Sequence, residues 1–89
     1  MVRLYIRHRV ADYDAWRSAY DDFAGGQQAG GVRAEAVYQS IDDPNDVTVW
    51  HDFDDAEAAR AFVGSAELRD AMRSAGVQGE PQMWFTEER

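Results

Sequence analysis

Two histidines are the side chains in this sequence best suited to moving protons. His8 lies in the segment 2–10 and His51 in the segment 47–53, and each alternates with apolar residues. An imidazole titrates near neutral pH, so it can act as a general acid, a general base or a hydrogen-bond donor. The pattern makes His8 and His51 candidate catalytic residues. The alternative is that each is a core histidine bonded to the backbone or to a tyrosine hydroxyl.

The two histidines are not expected to share a metal ion. Each lies late in a predicted strand, and the two strands are expected to be antiparallel neighbours. An offset of four residues then separates them by about 13 Å at about 3.3 Å per residue. The sequence also contains no cysteine, no HxH or HExxH spacing and no glycine-rich phosphate loop. We therefore expect neither a metal site nor a cofactor.

A row of aromatic side chains is predicted to lie beside the histidines. Tyr13, Trp16, Tyr20 and Phe23 recur at three- and four-residue steps, which is typical of one face of an amphipathic helix. Such a row most often packs into a core, but it can also form the wall of a pocket for a flat aromatic molecule. The predicted pocket residues are Tyr13, Trp16, Tyr20, Phe53 and Phe62.

Alternation with a period of two predicts four strands, because successive side chains of a strand point to opposite faces. The predicted strands are residues 2–10, 32–41, 47–53 and 82–86. Turn-forming residues fill the segment 42–46 between the second and third strands. These two strands are therefore expected to form a hairpin.

Amphipathic repeats predict helices between the strands. Asp12 is the predicted N-cap of the first helix, and Asp54 with Glu57 three residues later is the predicted capping box of the second. Gly25-Gly26 is expected to end or fray the first helix. The second helical region is expected to be kinked or divided, because Gly64-Ser65 interrupts it and its serine can cap a new segment.

The order strand–helix–strand–strand–helix–strand predicts an α+β fold formed by one domain over residues 1–89. Right-handed crossovers place strand 1 beside strands 3 and 4, which gives a ferredoxin-like, four-stranded antiparallel sheet with both helices on one face. The opposite face also carries large side chains such as Trp50 and Trp84. A second copy of the chain, related by two-fold symmetry, is the expected cover of that face.

Acidic residues outnumber basic ones by 17 to 9, which gives a net charge of −8. Nucleic acids and anionic membranes attract basic surfaces, so neither is an expected partner. No apolar run is long enough to span a membrane, and the first residues alternate instead of forming a signal peptide. We therefore expect a cytoplasmic protein.

Three arginines share the face of strand 1 opposite His8, namely Arg3, Arg7 and Arg9. One hypothesis is that they bind an anion. The favoured interpretation is that they pair with Asp52, with Glu35 or with acids of a second copy, because a guanidinium group suits bidentate carboxylate pairs.

Four segments of the chain carry a family resemblance, namely residues 8–16, 42–49, 58–62 and 65–72. They resemble small actinobacterial members of the dimeric α/β-barrel superfamily, which includes the antibiotic biosynthesis monooxygenases. The resemblance implies a homodimer whose two sheets form a barrel, with a ligand pocket between the sheet and the helices of each subunit. Relatives in this superfamily include cofactor-free monooxygenases, polyketide cyclases and haem-degrading enzymes.

Two strand-3 positions differ from the pattern that the resemblance implies. Monooxygenase members tend to use a tryptophan on strand 3 and an asparagine four residues earlier, where this sequence has Phe53 and Val49. Haem-degrading members use an asparagine, tryptophan and histidine set, and here His8 or Arg7 lies near the position of that asparagine.

Two functions follow from these patterns and the resemblance. The first is a cofactor-free monooxygenase or cyclase of secondary metabolism that binds a flat, polyketide-like aromatic molecule. His51 or His8 would transfer a proton in that enzyme, and the pocket would position the substrate. The second is a non-catalytic dimeric barrel that binds a small ligand or has a structural role.

Overall fold

The computed structural model describes all of residues 1–89, and it contains four strands and four helices. The strands are β1 (Val2–Val10), β2 (Ala34–Gln39), β3 (Asp46–Phe53) and β4 (Val77–Glu87). The helices are α1 (Tyr13–Asp22), α2 (Ala24–Ala29), α3 (Ala56–Val63) and α4 (Ala66–Ser74).

The four strands form one antiparallel sheet in the order β2-β3-β1-β4. The α+β, ferredoxin-like topology predicted from the element order is therefore confirmed. In the β1–β3 register, Leu4 lies opposite His51 and His8 lies opposite Val47. The two histidines are thus four residues apart along the sheet, as the sequence predicted.

The sheet has one buried face, and the helices cover it. Every second residue of β1 from Val2 to Val10 is buried, whereas the intervening residues are partly or fully exposed. The buried side chains of β1 and β3 meet Trp16 of α1, Phe62 of α3 and Leu68 of α4 in one apolar core. Both histidines lie on this face, because they share the parity of the core residues of their strands.

Each predicted helix is a pair of helices in the structure. The division of the second region at Gly64-Ser65 is confirmed, because α3 has its C-cap at Gly64 and Ser65 caps α4. The first region differs from the prediction, since Gly25 and Gly26 lie inside the short helix α2 instead of ending a helix. A Cβ at Gly26 would lie 2.3 Å from the Phe23 ring. The absent side chain allows this close packing, which outweighs the low helix propensity of glycine.

The N-caps were predicted correctly in two cases and wrongly in one. Asp12 accepts a hydrogen bond from the Ala15 amide, and Ser65 accepts one from the Leu68 amide. The cap of α3 is Asp55, whose carboxylate accepts from the Ala58 amide at 2.8 Å. Asp54 instead pairs with the guanidinium group of Arg33. Two adjacent aspartates give the same local signal, and the tertiary ion pair selects between them.

The outer face of the sheet is polar and aromatic. The β1 arginines pair with acids of their own chain. Arg3 pairs with Asp52, as predicted, whereas Arg7 and Arg9 pair with Asp46 and Asp43, which were not among the predicted partners. Glu35 is not one of their partners, because its carboxylate accepts a hydrogen bond on the other face of the sheet. The arginines therefore have local counter-charges, which leaves less positive charge for binding an anion.

Candidate functional site

A small cavity of about 40 Å³ lies between the inner face of the sheet and helices α1, α2 and α4. His8 and His51 both line this cavity, together with Trp16 and Tyr20 of α1. The volume is enough for about three water molecules. Larger grooves exist on the surface. The 330 Å³ groove beside Met1 is lined mainly by polar side chains and contains neither histidine, whereas a polar groove of 460 Å³ between β1 and β4 is lined in part by His8.

His51 is held by a chain of hydrogen bonds that leads from the core to the surface. Its Nε2 atom is 3.0 Å from the hydroxyl oxygen of Tyr20. That hydroxyl donates to Oε2 of Glu35 at 2.6 Å. Glu35 lies directly opposite His51 in the β2–β3 register, so both side chains are on the helix-covered face. His51 is only 2% exposed, whereas Glu35 is exposed.

One ring nitrogen of each histidine is buried without a hydrogen-bond partner. Nδ1 of His8 and Nδ1 of His51 are both buried, and neither makes a hydrogen bond. Most buried polar atoms in folded proteins are paired, so two unpaired imidazole nitrogens beside one cavity need an explanation. One explanation is that these nitrogens accept a hydrogen bond or a proton from a bound molecule.

Burial keeps both imidazoles neutral. It lowers the pKa of His51 from the ordinary value of 6.5 to about 4, although the charges of Glu35 and Asp52 act in the opposite direction. The pKa of His8 is also lowered, chiefly by burial. The pKa of Tyr20 is raised by burial first and by its hydrogen bond to Glu35 second. At neutral pH the site therefore contains neutral imidazoles and a protonated phenol.

The two histidines are connected by aromatic rings of α1. The ring centroids of His8 and Trp16 are 5.5 Å apart, those of Trp16 and Tyr20 are 4.9 Å apart, and those of Tyr20 and His51 are 6.1 Å apart. This row forms one wall of the cavity. The residue types and spacing that predicted a helical stripe thus place Trp16 and Tyr20 against both histidines.

The other predicted pocket residues lie around the cavity without lining it. Phe53 is fully buried and packs against Phe62 with ring centroids 5.4 Å apart. Phe62 meets His51 edge-on at 5.5 Å. Tyr13 packs against Trp16 at 5.9 Å, and its backbone amide donates to the Asn45 side chain. The structure therefore joins all the predicted site residues in one set of ring contacts, to which Phe53 is attached only through Phe62.

Two polar residues near the cavity were missed as site residues. Glu35 was predicted only as a partner for arginine, and its hydrogen bond to Tyr20 depends on the β2–β3 register. Gln27 is 6% exposed and lines the cavity from α2. Its position inside a glycine-containing segment predicted a helix end, so no periodic signal could assign it to the buried side.

An outer groove of about 420 Å³ lies next to the cavity, between α2 and the α3–α4 pair. Phe23 contributes to the lining of both spaces. The floor of the groove is close to the backbone, because Gly26 and Gly30 have no side chains there. A Cβ at Gly30 would lie 2.5 Å from the Phe62 ring. The ring of Phe23 is thus a side chain shared by the surface groove and the histidine cavity.

Two further observations concern metal binding and membrane crossing. No group of three or more histidine, aspartate or glutamate side chains is close enough together to hold a metal ion. No helix has the length and apolar composition needed to cross a membrane.

The fold and the site together define a small α+β protein with a histidine-lined cavity beneath one sheet face. Residues 1–74 match the antibiotic biosynthesis monooxygenase family, and the chain belongs to that family. No curated protein matches the sequence.

Several solved structures share the fold. A protein from Bordetella bronchiseptica, provisionally assigned as an antibiotic biosynthesis monooxygenase, superposes with a TM-score of 0.85 at 14% identity, covering 99% of this chain and 96% of that one. SnoaB, a cofactor-independent oxygenase from Streptomyces nogalater, gives 0.76 at 14% identity, with coverage of 99% and 94%. Rv0793 from Mycobacterium tuberculosis gives 0.72 at 16% identity, with coverage of 99% and 94%. At these identities the likeness concerns the fold.

Proposed function

We propose that this protein is a cofactor-independent monooxygenase or cyclase that acts on a flat, polyketide-like aromatic molecule, with His51 as the group that accepts a proton. The observation that carries the proposal is the buried imidazole of His51, which lines a cavity walled by aromatic rings and whose Nδ1 atom has no hydrogen-bond partner. Membership of the antibiotic biosynthesis monooxygenase family and the shared fold with a cofactor-independent oxygenase support it.

The chemistry requires a base and a positioned substrate. His51 takes a proton from an acidic O–H or C–H group of the substrate, and the electron pair stays on the substrate as an enolate or phenolate. Such an anion can react with dioxygen or close a ring by aldol addition. A base with a pKa near 4 is weak, but the developing negative charge next to the ring raises that pKa while the proton is transferred.

The substrate needs more room than the cavity provides. Sites for drug-sized ligands enclose roughly 300–1,000 Å³, and the cavity has about 40 Å³. We propose that the Phe23 ring moves aside and joins the cavity to the 420 Å³ groove outside it. Phe23 is only partly buried, and its rotation would break the ring contact with Phe62, whose centroid is 6.5 Å away.

Oxygen uptake with 1,8-dihydroxyanthrone as the substrate tests the monooxygenase form of the proposal. The variant is His51→Gln, because a glutamine amide can still donate to Tyr20 but cannot accept a proton. Loss of a general base lowers turnover by about 10²–10⁴-fold, and His8→Gln is the matched control with a smaller expected loss. Unchanged turnover in His51→Gln would contradict the assignment of the base.

A second function is favoured by two specific residues. Phe53 and Val49 occupy the strand-3 positions at which the resemblance implied a tryptophan and an asparagine. Phe53 is fully buried in the core, and Val49 is a buried apolar residue that lines the cavity. A protein without those polar groups could bind a flat aromatic molecule without converting it. Quenching of tryptophan fluorescence by 1,8-dihydroxyanthrone, in the absence of oxygen uptake by the wild-type protein, would favour this ligand-binding function over the monooxygenase.

We also propose that two copies pair through the outer face of the sheet. Trp84 is 44% exposed on this face and stacks on Tyr5 with ring centroids 5.6 Å apart. The arginine–aspartate pairs make the surrounding face electrically balanced, so two copies can meet there without net repulsion.

Light scattering tests the dimer at micromolar protein concentration. The wild-type protein is expected to show about twice the 10.1 kDa mass of one chain. Trp84→Glu is expected to dissociate it, because two-fold symmetry buries both new carboxylates at one interface. Glu57→Gln on helix α3 is the control, since it alters an exposed residue on the helical side. A wild-type mass equal to one chain would refute the pairing.

A further inference from the structure

We propose that Glu35 sets the tautomer of His51 through the Tyr20 hydroxyl, so that Nε2 carries the proton and Nδ1 keeps its lone pair. Glu35 and Tyr20 are then positioning residues for His51. The catalytic consequence of this tautomer rests on the proposed function, but the tautomer itself is a property of the folded chain.

The argument starts from the single proton of the Tyr20 hydroxyl. The hydroxyl oxygen lies 2.6 Å from Oε2 of Glu35 and 3.0 Å from Nε2 of His51. An ionised carboxylate can only accept hydrogen bonds, and Glu35 is exposed at the surface. The tyrosine proton is therefore used in the bond to Glu35. The hydrogen bond between Tyr20 and His51 then needs a proton from His51, and Nε2 is the ring atom that can supply it.

The opposite tautomer is disfavoured at both ring nitrogens. A lone pair on Nε2 would face the lone pairs of the Tyr20 oxygen at 3.0 Å. A proton on Nδ1 would be buried with no acceptor, because Nδ1 has no hydrogen-bond partner. A buried donor without an acceptor is destabilising. The Nε2–H tautomer leaves one unpaired acceptor, Nδ1, and no buried donor without an acceptor.

The hydrogen-bonded chain also connects His51 to a negative charge at the surface. When Nδ1 takes a proton, the positive ring is joined through Tyr20 to the negative charge of Glu35 at the surface. The carboxylate stabilises that charge without contacting the substrate. Changing Glu35 therefore alters the state of His51 from outside the cavity.

Two substitutions at position 35 separate this hypothesis from a structural role. A lysine side chain can only donate, so Glu35→Lys makes the Tyr20 oxygen accept from it and turns the tyrosine proton towards Nε2. The variant is then expected to hold His51 as the Nδ1–H tautomer. Glu35→Gln can donate or accept, so it is expected to give a mixture of both tautomers.

Two-bond ¹H–¹⁵N correlation spectra of ¹⁵N-histidine-labelled protein at pH 7 measure the outcome. His51 is assigned by the loss of its signals in His51→Gln. The wild-type protein should show a protonated, pyrrole-type Nε2 and an unprotonated, pyridine-type Nδ1, and Glu35→Lys should exchange the two. A protonated Nδ1 in the wild type, or the wild-type tautomer in Glu35→Lys, would overturn the inference.

The spectra and the turnover assay fail independently. The predicted tautomer in a protein without oxygen uptake would leave this inference standing and remove the monooxygenase proposal. Turnover that depends on His51 in a protein with a protonated Nδ1 would support the enzymatic proposal and remove the inference about the tautomer. The exposed position of Glu35 limits the effect of its substitution on folding, and the wild-type spectrum alone is sufficient to refute the tautomer.

Discussion

The buried imidazole of His51 is expected to make the folded protein less stable as the pH falls from 7 to 5. This range lies above the pH at which most carboxylates titrate. Its pKa is about 4 in the folded protein and 6.5 when unperturbed. The unfolded chain therefore binds a proton more tightly than the folded chain. The stabilisation is complete above about pH 6.5 and is lost progressively as the pH falls towards 4.

The size of the effect follows from the two pKa values. Each unit of difference corresponds to about 1.4 kcal/mol. Integration between pH 7 and pH 5 gives a loss of about 2 kcal/mol in the free energy of unfolding from His51 alone. His51 is only 2% exposed, so solvent screening does not reduce this value appreciably. The lowered pKa of His8 adds a loss of the same sign.

Urea unfolding at pH 7, 6 and 5, followed by the fluorescence of the tryptophans, measures the prediction at one protein concentration. His51→Gln is expected to reduce the decline between pH 7 and pH 5 by about 2 kcal/mol. His8→Gln is the matched variant and reveals the contribution of the second histidine.

The aspartates interfere little in this range. The pKa values of Asp43, Asp46 and Asp54 are lowered from 3.8 by hydrogen bonds to backbone or arginine groups. Their stabilising effect is therefore lost below about pH 5. An equal decline in wild type and His51→Gln would refute the reasoning, as would a wild-type protein that is as stable at pH 5 as at pH 7.

Two further predictions use adjacent or neighbouring residues as controls. Asp55→Ala should reduce the free energy of unfolding by about 1 kcal/mol, because it removes the α3 cap. Asp54→Ala should reduce it by less, because it breaks only an exposed ion pair. Equal losses in urea unfolding would argue against the assigned cap. Gly30→Ala should cost about 1–3 kcal/mol, since the new Cβ overlaps the Phe62 ring. In the control Gly25→Ala, the new Cβ meets open space and should stabilise α2 by up to about 1 kcal/mol. A melting temperature unchanged by Gly30→Ala would contradict the close packing of Gly30 against Phe62.

The sheet topology could be predicted because its signals are local and repeated. Alternation along β1 and β3 assigned the histidines to the buried side, and the handedness of the crossovers then fixed the order of the strands. The four-residue offset between His8 and His51 followed from the same alternation and is present in the register. Trp16 and Tyr20 were placed beside them by the helical repeat.

Local signals failed where two candidates were equivalent in sequence or where packing compensated for a poor propensity. Asp54 and Asp55 are both good caps, and the position of Arg33 decides between them. Gly26 lies inside a helix because its missing side chain makes room for the Phe23 ring. Neither Arg33 nor the Phe23 ring is part of the backbone pattern that predicts a cap or a helix end.

The hydrogen-bonded chain Glu35–Tyr20–His51 is the feature that no pattern in the sequence could reveal. Its members come from β2, α1 and β3, and they meet because of the strand register and the path of α1 across the sheet. Residue types and periodicity therefore determine that a buried histidine faces an aromatic helix. The pairing of its Nε2 atom, the isolation of its Nδ1 atom and the small volume beside it depend on contacts between residues distant in the chain, which exist only after folding.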